Sequence, residues 1–132
     1  VPLTREFDFI RNYITLMRLR YTDKVHINVD LPQQAPDRQL PPLMLITFIE
    51  NAFKHGISYQ HDSFIDISVT IHDEHLTFCC HNTKADTPNT EKGGVGLANV
   101  KQRLNLLYDH DYTLAINDEA DRYNVELTIP LL

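Results

Sequence analysis

Long apolar runs and positive charge are both scarce in this sequence of 132 residues. It contains no run of about 18 or more apolar residues and no basic segment leading into an apolar one, so we expect none of these residues to cross a membrane. The 18 acidic residues outnumber the 12 basic ones, which gives a formal charge of −6. Because contacts to nucleic-acid phosphates need a basic face, this balance argues against nucleic acid as a partner.

Cysteine is also rare, and the two cysteines, Cys79 and Cys80, are neighbours in a predicted strand. Successive strand side chains point to opposite faces, so we expect no disulfide between them and a reducing compartment. The length suits one compact domain, and 42% apolar residues are ordinary for a soluble globular protein. The chain opens on Val1, which suggests a fragment or a processed form.

The hydrophobic pattern predicts one mixed α/β unit. Helices are expected at 4–21, with Thr4 as N-cap, from Pro41 and Pro42 to a stop at Gly56, and from the glycines at 93–96 to Tyr108. The last helix is expected to bury Leu97, Val100, Leu104 and Leu107. Strands are expected at 25–29, 64–71, 76–80, 112–117 and 123–131, and the polar segment 83–92 is expected to be a mobile loop.

The second predicted helix carries a polar stripe although its first half is almost entirely apolar. The polar residues recur at helical spacing: Thr47, Glu50, Asn51, Lys54, His55 and Ser58. The opposite side is predicted to face the core through Ile46, Ile49, Phe53 and Ile57. Unpaired polar groups on a buried helix cost about 1–3 kcal/mol each, so the stripe needs water, internal pairs or a polar ligand. A solvated face with a Glu50–Lys54 pair explains the stripe equally well at this point.

Glycines mark the start of the third predicted helix. Gly94 and Gly96 allow the backbone to approach an anion, and the free N–H groups and dipole of a helix N-terminus favour phosphate. Lys101 and Arg103 would add positive charge there. No Gly-Lys-Ser/Thr follows, as a Walker loop requires, and no strand stands immediately before, as the dinucleotide fingerprint requires. Glycines also simply end loops, so this motif alone is weak.

Together the two motifs resemble those of a known family. The segment 42–56, PLMLITFIENAFKHG, resembles the N box of the GHKL ATPase superfamily. Within that superfamily, its residues most resemble those of the LytS/YehU-like sensor histidine kinases. The segment 94–104, GVGLANVKQRL, resembles the G2 box of that family. Residues 3–6 and 13–20 resemble the segment that joins its phosphoacceptor helices to the ATPase domain. The resemblance therefore covers nearly the whole chain.

The resemblance implies a Bergerat-type fold, an α/β (α+β) two-layer sandwich with helices on one face of a mixed, largely antiparallel sheet. Residues 1–22 would be a linker helix continuing from phosphoacceptor and dimerisation helices that this chain lacks, and residues 23–132 would be the ATP-binding catalytic domain. ATP would lie between the second helix, a lid at 83–92 and the G2 turn.

The same resemblance assigns roles to residues. Asn51 is expected to bind Mg²⁺ through its amide oxygen, and Glu50 to orient or activate the attacking group. Lys54 and His55 match positions near the phosphates and would serve both catalysis and ATP binding. The further nucleotide-binding positions are Asn82, Gly94, Gly96, Leu97, Asn99 and Arg103.

Asn82 departs from the family pattern, which normally has an aspartate followed by Gly-x-Gly at this position. An asparagine oxygen still accepts a hydrogen bond from the adenine amino group. It lacks the charge-assisted bond of a carboxylate, so weaker ATP binding is expected. The family's lid glycines are absent as well, so the lid conformation and turnover are expected to differ from those of the family.

The implied function is transfer of the ATP γ-phosphoryl group to a histidine on the absent dimerisation helices, for relay to a response regulator. The intact protein would be a homodimer, with this domain in the cytoplasm and contact with the inner membrane only through its missing N-terminal part. Three alternatives stay open. They are a pseudokinase that binds nucleotide without transfer, an anti-sigma-factor serine kinase on the same fold, and a non-catalytic interaction module whose polar stripe is solvated.

Overall fold

A computed structural model describes residues 1–58, 61–84 and 94–132, without the side chains of 94–96. The described residues form three helices: α1 (Leu3–Arg20), α2 (Met44–Gly56) and α3 (Gly94–Tyr108). They also form five strands: β1 (Val25–Asp30), β2 (Ser63–His72), β3 (His75–Thr83), β4 (Thr113–Asp118) and β5 (Arg122–Pro130). The chain order is α1, β1, α2, β2, β3, α3, β4, β5, as the hydrophobic pattern predicted.

The strands form one sheet in the order β1-β2-β3-β5-β4. β1 runs parallel to β2, and the other three neighbouring pairs are antiparallel. A parallel pair needs a long crossover connection, and α2 lies within the one between β1 and β2. The predicted mixed, largely antiparallel sheet is therefore confirmed.

One face of the sheet packs against all three helices. Alternate residues of β2, β3 and β5 are buried on this face: Ile65, Ile67, Val69, Leu76, Phe78, Cys80, Val125, Leu127 and Ile129. They share one core with the buried residues of the helices, and the ring of Phe48 on α2 lies 5.8 Å from that of Phe78. The other face is polar, as shown by Asn28, whose Nδ2 donates to Asp66 Oδ1 at 2.8 Å. The two-layer sandwich is confirmed.

α1 contributes to this same core. Its buried face carries Leu3, Phe7, Ile10 and Ile14, which belong to one cluster with the buried residues of α2 and the sheet. A division of the chain at residue 22 stays a prediction. No helix in the described ranges has the length and apolar character needed to cross a membrane.

Several details differ from the sequence-based expectations. α1 begins at Leu3 with Pro2 at the cap position, so Thr4 is not the N-cap. β3 continues to Thr83, three residues beyond its predicted end at residue 80, because it stays paired with β5. Leu107 is 48% exposed, whereas Tyr108 is buried four residues after Leu104 and continues the apolar stripe in its place.

Three further expectations concern the loop, the third helix and the cysteines. Most of the predicted loop, residues 85–92, lies outside the described residues. The third helix begins at Gly94, so Gly96 lies in its first turn and not in a preceding loop. Cys79 and Cys80 are both free thiols on opposite faces of β3, as expected. Burial, with smaller contributions from Asp66 and Cys79, raises the pKa of Cys80 to about 12, so this thiol is inert at neutral pH.

Candidate functional site

α2 is buried on most of its circumference, and its polar stripe lies on the remaining accessible side. The predicted core residues Ile46, Ile49 and Phe53 are buried, and Ile57 is half-buried against the core. Along the stripe, Thr47, Asn51 and His55 are half-buried, Glu50 and Lys54 are exposed, and Ser58 is buried. The side chains predicted to serve chemistry therefore lie on the side of α2 that the described residues leave partly accessible.

The C-terminal end of α2 lies against the end of β3. A Cβ atom added to Gly56 would lie 2.8 Å from Asn82 Nδ2 and 3.0 Å from the carbonyl oxygen of Thr83. Thr83 Oγ1 in turn donates to the Gly56 carbonyl at 3.3 Å. Only glycine allows this approach. The sequence predicted Gly56 as the residue that follows the helix, but it is the last helical residue, and Ile57 after it is extended.

Replacement of Gly56 by alanine is expected to lower the free energy of unfolding by about 1–3 kcal/mol, because the new methyl group overlaps Asn82 and a backbone oxygen. Urea denaturation of the variant measures this change. The double variant with Asn82→Ala should recover part of the loss, because it removes the closest clashing atom. A Gly56→Ala protein as stable as the wild type would contradict the tight approach.

Asn82 presents an unsatisfied acceptor at this junction. The side chain is 4% exposed, and its Nδ2 donates to the Thr83 carbonyl at 2.8 Å. Its Oδ1 is buried and has no hydrogen-bond partner among the described residues. A buried acceptor that makes no hydrogen bond costs about 1–3 kcal/mol of stability. The position predicted to bind adenine therefore holds an oxygen to which no group in the described part of the chain donates.

Serine and threonine hydroxyls hold the chain around this junction. Ser63 Oγ, which is fully buried, accepts from the Ser58 N–H at 2.8 Å, and Ser58 Oγ accepts from the His61 N–H at 3.2 Å. Thr83 Oγ1 also accepts from the Phe64 N–H at 3.1 Å. Ser63 and Thr83 were not predicted as site residues from the sequence. Small hydroxyl residues at the first position of β2 and the last of β3 were the available signal.

Aromatic side chains on α1 and just after its end reach the other flank of the polar stripe. The Tyr13 ring packs edge-on against Phe53 at 5.8 Å, and the Tyr21 ring stacks on Phe53 at 6.1 Å. Burial, followed by the negative charge of Glu50, raises the pKa of Tyr13. The segment predicted as a linker therefore lies beside a candidate catalytic residue, which the sequence analysis did not predict.

The predicted residues of α3 do not all lie in one place. Gly94 and Gly96 form the first turn of α3, Leu97 is half-buried against the core, and Asn99 is exposed. Arg103 instead lines a groove of about 670 Å³ together with Pro41 and Pro42, which precede α2. Arg103 therefore lies near the N-terminal end of α2, whereas Asn82 lies at the Gly56 end. Its role in nucleotide binding stays a prediction.

Metal binding was predicted through a single protein ligand, Asn51. Within residues 1–58, 61–84 and 94–132, no group of three or more His, Cys, Asp or Glu side chains is placed to hold a metal ion. Asn51 stands half-buried on the stripe directly beside Glu50. One protein oxygen suits Mg²⁺, which commonly keeps several waters and takes substrate phosphates as its other ligands.

Comparison with known sequences finds relatives over nearly the whole chain, although no protein-family model matches it. The sensor histidine kinase BtsS of Escherichia coli (strain K12) is 29% identical over 133 residues, covering 98% of this chain and 24% of BtsS. The sensor protein LytS of Oceanobacillus iheyensis is 24% identical over 146 residues, covering 98% of this chain and 25% of LytS. The chain thus spans about a quarter of the length of these relatives.

Comparison with solved structures identifies the fold. The catalytic domain of the histidine kinase ThkA superposes with a TM-score of 0.67 at 12% identity, covering 93% of this chain and 90% of that domain. Full-length ShkA in complex with AMPPNP gives a TM-score of 0.69 at 18% identity, covering 99% of this chain and 31% of ShkA. The chain is therefore a homologue of the LytS and BtsS sensor histidine kinases and has the fold of histidine kinase ATP-binding domains.

Proposed function

We propose that this chain is the Mg-ATP-binding catalytic domain of a sensor histidine kinase, which transfers the γ-phosphoryl group of ATP to a histidine on the dimerisation helices of the kinase. The intact kinase would be a homodimer at the inner membrane, with this domain in the cytoplasm and a response regulator as the next phosphoryl acceptor. The observation that carries the proposal is the buried Oδ1 of Asn82 at the end of β3, to which none of the described residues donates a hydrogen bond.

Adenine fits the hydrogen-bonding state of Asn82. Nδ2 already donates to the Thr83 carbonyl, so the amide is held in one orientation with Oδ1 left as the acceptor. The exocyclic amino group of adenine is a donor and would satisfy this oxygen. Guanine carries a carbonyl at the same ring position, which would bring two acceptors together. The proposal therefore includes a preference for ATP over GTP.

The polar stripe supplies groups for the phosphates. Asn51 Oδ1 would hold Mg²⁺, and the bound ion would neutralise charge on the β- and γ-phosphate oxygens. Lys54, exposed one turn beyond Glu50, would place its ammonium group near the phosphates with His55 beside it. The first N–H groups of α3 lack partners within the helix and would donate to phosphate oxygens.

Glu50 is the residue that would orient the histidine that accepts the phosphoryl group. Its carboxylate is exposed, so an imidazole from another helix can approach it. A carboxylate that accepts a hydrogen bond from one imidazole nitrogen orients the ring and leaves the other nitrogen to attack the γ-phosphorus. Catalysis of phosphoryl transfer consists mainly of such positioning and of electrostatic stabilisation.

Replacement of Asn82 by alanine is expected to weaken ATP binding about tenfold to a hundredfold, the equivalent of one lost hydrogen bond to the base. Isothermal titration calorimetry with Mg-ATP and Mg-GTP measures both the affinity and the base preference. Asn117→Ala is the matched control, because Asn117 is an exposed asparagine on β4. Equal binding of ATP and GTP by the wild type, or unchanged affinity of Asn82→Ala, would contradict the adenine assignment.

Transfer is tested separately from binding. With the dimerisation helices supplied and labelled ATP present, a kinase puts label on histidine, whereas a pseudokinase binds ATP and transfers none. Label that appears on serine of an added protein would favour the anti-sigma-factor kinase. If calorimetry detects no binding of Mg-ATP, the kinase and pseudokinase hypotheses are excluded, and the non-catalytic interaction module remains.

A further inference from the structure

Glu6 is a buried acid to which the proposed chemistry gives no role. It lies on the first turn of α1 and is only 2% exposed. Its Oε2 accepts from the Leu43 N–H at 3.3 Å, and the backbone of Leu45 also donates to this carboxylate. Both donors belong to the N-terminal end of α2, the helix that carries Glu50 and Asn51.

α2 has no cap of its own at this end. Leu43 stands at the N-cap position without a side-chain cap bond, and no acidic residue occupies the first turn. The first N–H groups of a helix have no partner inside the helix, and serine, threonine, aspartate or asparagine usually supply the acceptor locally. Here a glutamate from another helix supplies it, and its negative charge also suits the positive end of the helix dipole.

The backbone at Leu43 makes this cap specific. Leu43 has φ 60° and ψ 17°, the left-handed conformation, which costs a residue with a side chain roughly 1–2 kcal/mol. Thr47 Oγ1 donates to the Leu43 carbonyl at 3.0 Å on one side, and Glu6 accepts from the Leu43 N–H on the other. The contacts around Leu43 therefore hold the start of α2 in a single strained geometry.

Burial of the Glu6 carboxylate at this position is energetically unfavourable. Its second oxygen, Oε1, is buried and has no hydrogen-bond partner among the described residues. Desolvation raises the pKa of Glu6, while the Leu43 and Leu45 N–H groups and the positive charge of Arg103 act in the opposite direction. Arg103 belongs to α3, so the charge of Glu6 lies among groups from all three helices.

We propose that Glu6 is a positioning residue for the nucleotide site, because its cap on α2 fixes where that helix lies along its axis. Asn51 stands eight residues beyond Leu43, about 12 Å along a rigid helix, so a shift at the cap moves Asn51 by a similar amount. Tyr13 on α1 and Tyr21 just after it also pack on Phe53 in the far half of α2. α1 thus contacts α2 at its start and again near Phe53. This inference rests on the proposed function.

The test compares Glu6→Ala and Glu6→Gln with two controls. Asp8→Ala removes an exposed acid of the same helix that pairs with Arg11 at 3.2 Å, and Ile14→Val trims the buried face of α1 without touching α2's cap. For Glu6→Ala we expect Mg-ATP affinity to fall on the order of tenfold, because Asn51 is no longer held where it would meet the metal. Affinity for ATP in EDTA should change far less, because Asn82, the proposed adenine contact, lies on β3 and does not move with α2. Glu6→Gln keeps an acceptor oxygen and should retain most of the affinity.

Amide exchange at residues 43 and 45 reports the cap without any nucleotide, and it should accelerate in Glu6→Ala and stay unchanged in both controls. Unchanged exchange, or a Glu6→Ala protein that loses stability like Ile14→Val but binds Mg-ATP as the wild type does, would overturn the positioning role. A wild-type chain that binds no Mg-ATP would overturn the proposed function together with that role, while exchange would still decide whether the cap exists.

Discussion

Replacing Asn51 with alanine is expected to abolish magnesium-dependent ATP binding and to leave the fold intact. The side chain is half-buried on the polar stripe and is not part of the core, so its removal opens no cavity. It is the one protein group assigned to the metal; mutation of groups that only support a metal ligand already costs about tenfold to a hundredfold in affinity, so loss of the ligand itself should cost at least that. Calorimetry with and without Mg²⁺ measures the effect, and a thermal melt by circular dichroism verifies the fold.

Asn117→Ala provides the control for this experiment. It removes the same type of side chain from an exposed position on β4, away from α2 and from the contacts around Leu43. Its replacement should leave the magnesium dependence of ATP binding unchanged. If Asn51→Ala binds Mg-ATP as tightly as Asn117→Ala, the metal is held elsewhere and the kinase proposal loses its central residue.

The second large effect is on stability. Phe78→Ala is expected to lower the free energy of unfolding by about 3–5 kcal/mol, because the ring is fully buried at the centre of the sheet and packs on Phe48 of α2. That is a large share of the 5–15 kcal/mol by which proteins of this kind are typically stable. Chemical denaturation followed by circular dichroism measures the change.

Phe64→Ala is the matched control for the core substitution. Phe64 is the same residue type on the neighbouring strand but points to the outer face of the sheet, where it is 44% exposed. Its replacement should cost far less, since nearly half of Phe64 is already exposed and its removal leaves no enclosed cavity. Comparable losses for the two phenylalanines would mean that the outer face is covered in solution.

Asn82 shows how the tertiary environment changes the meaning of a departure from a family pattern. From the sequence, an asparagine in place of an aspartate predicts weaker adenine binding. In the folded chain, Nδ2 of this side chain donates to the Thr83 carbonyl. An aspartate would bring a carboxylate oxygen against that carbonyl, so the amide suits this junction better than the acid does.

Hydrophobic periodicity predicted the element order and the buried face of α2, because side-chain direction repeats locally in helices and strands. It failed at Leu107, where two adjacent residues, Leu107 and Tyr108, are both apolar and only packing decides which one is buried. It also ended β3 too early, since pairing with β5 extends that strand through polar residues. Both errors occur where local pattern and tertiary contact differ.

The sequence by itself determined the motifs, the alternation of the strands and the polar stripe on α2, because each depends on residues within one or two turns of one another. Only the tertiary structure decided that Gly56 must be glycine for Asn82 to approach, and that Glu6 caps a helix 37 positions away. Such contacts form when distant segments pack within a few ångströms, and no local spacing encodes that distance. The sequence specifies which groups are present, and the packing of three helices on one sheet specifies which of them meet.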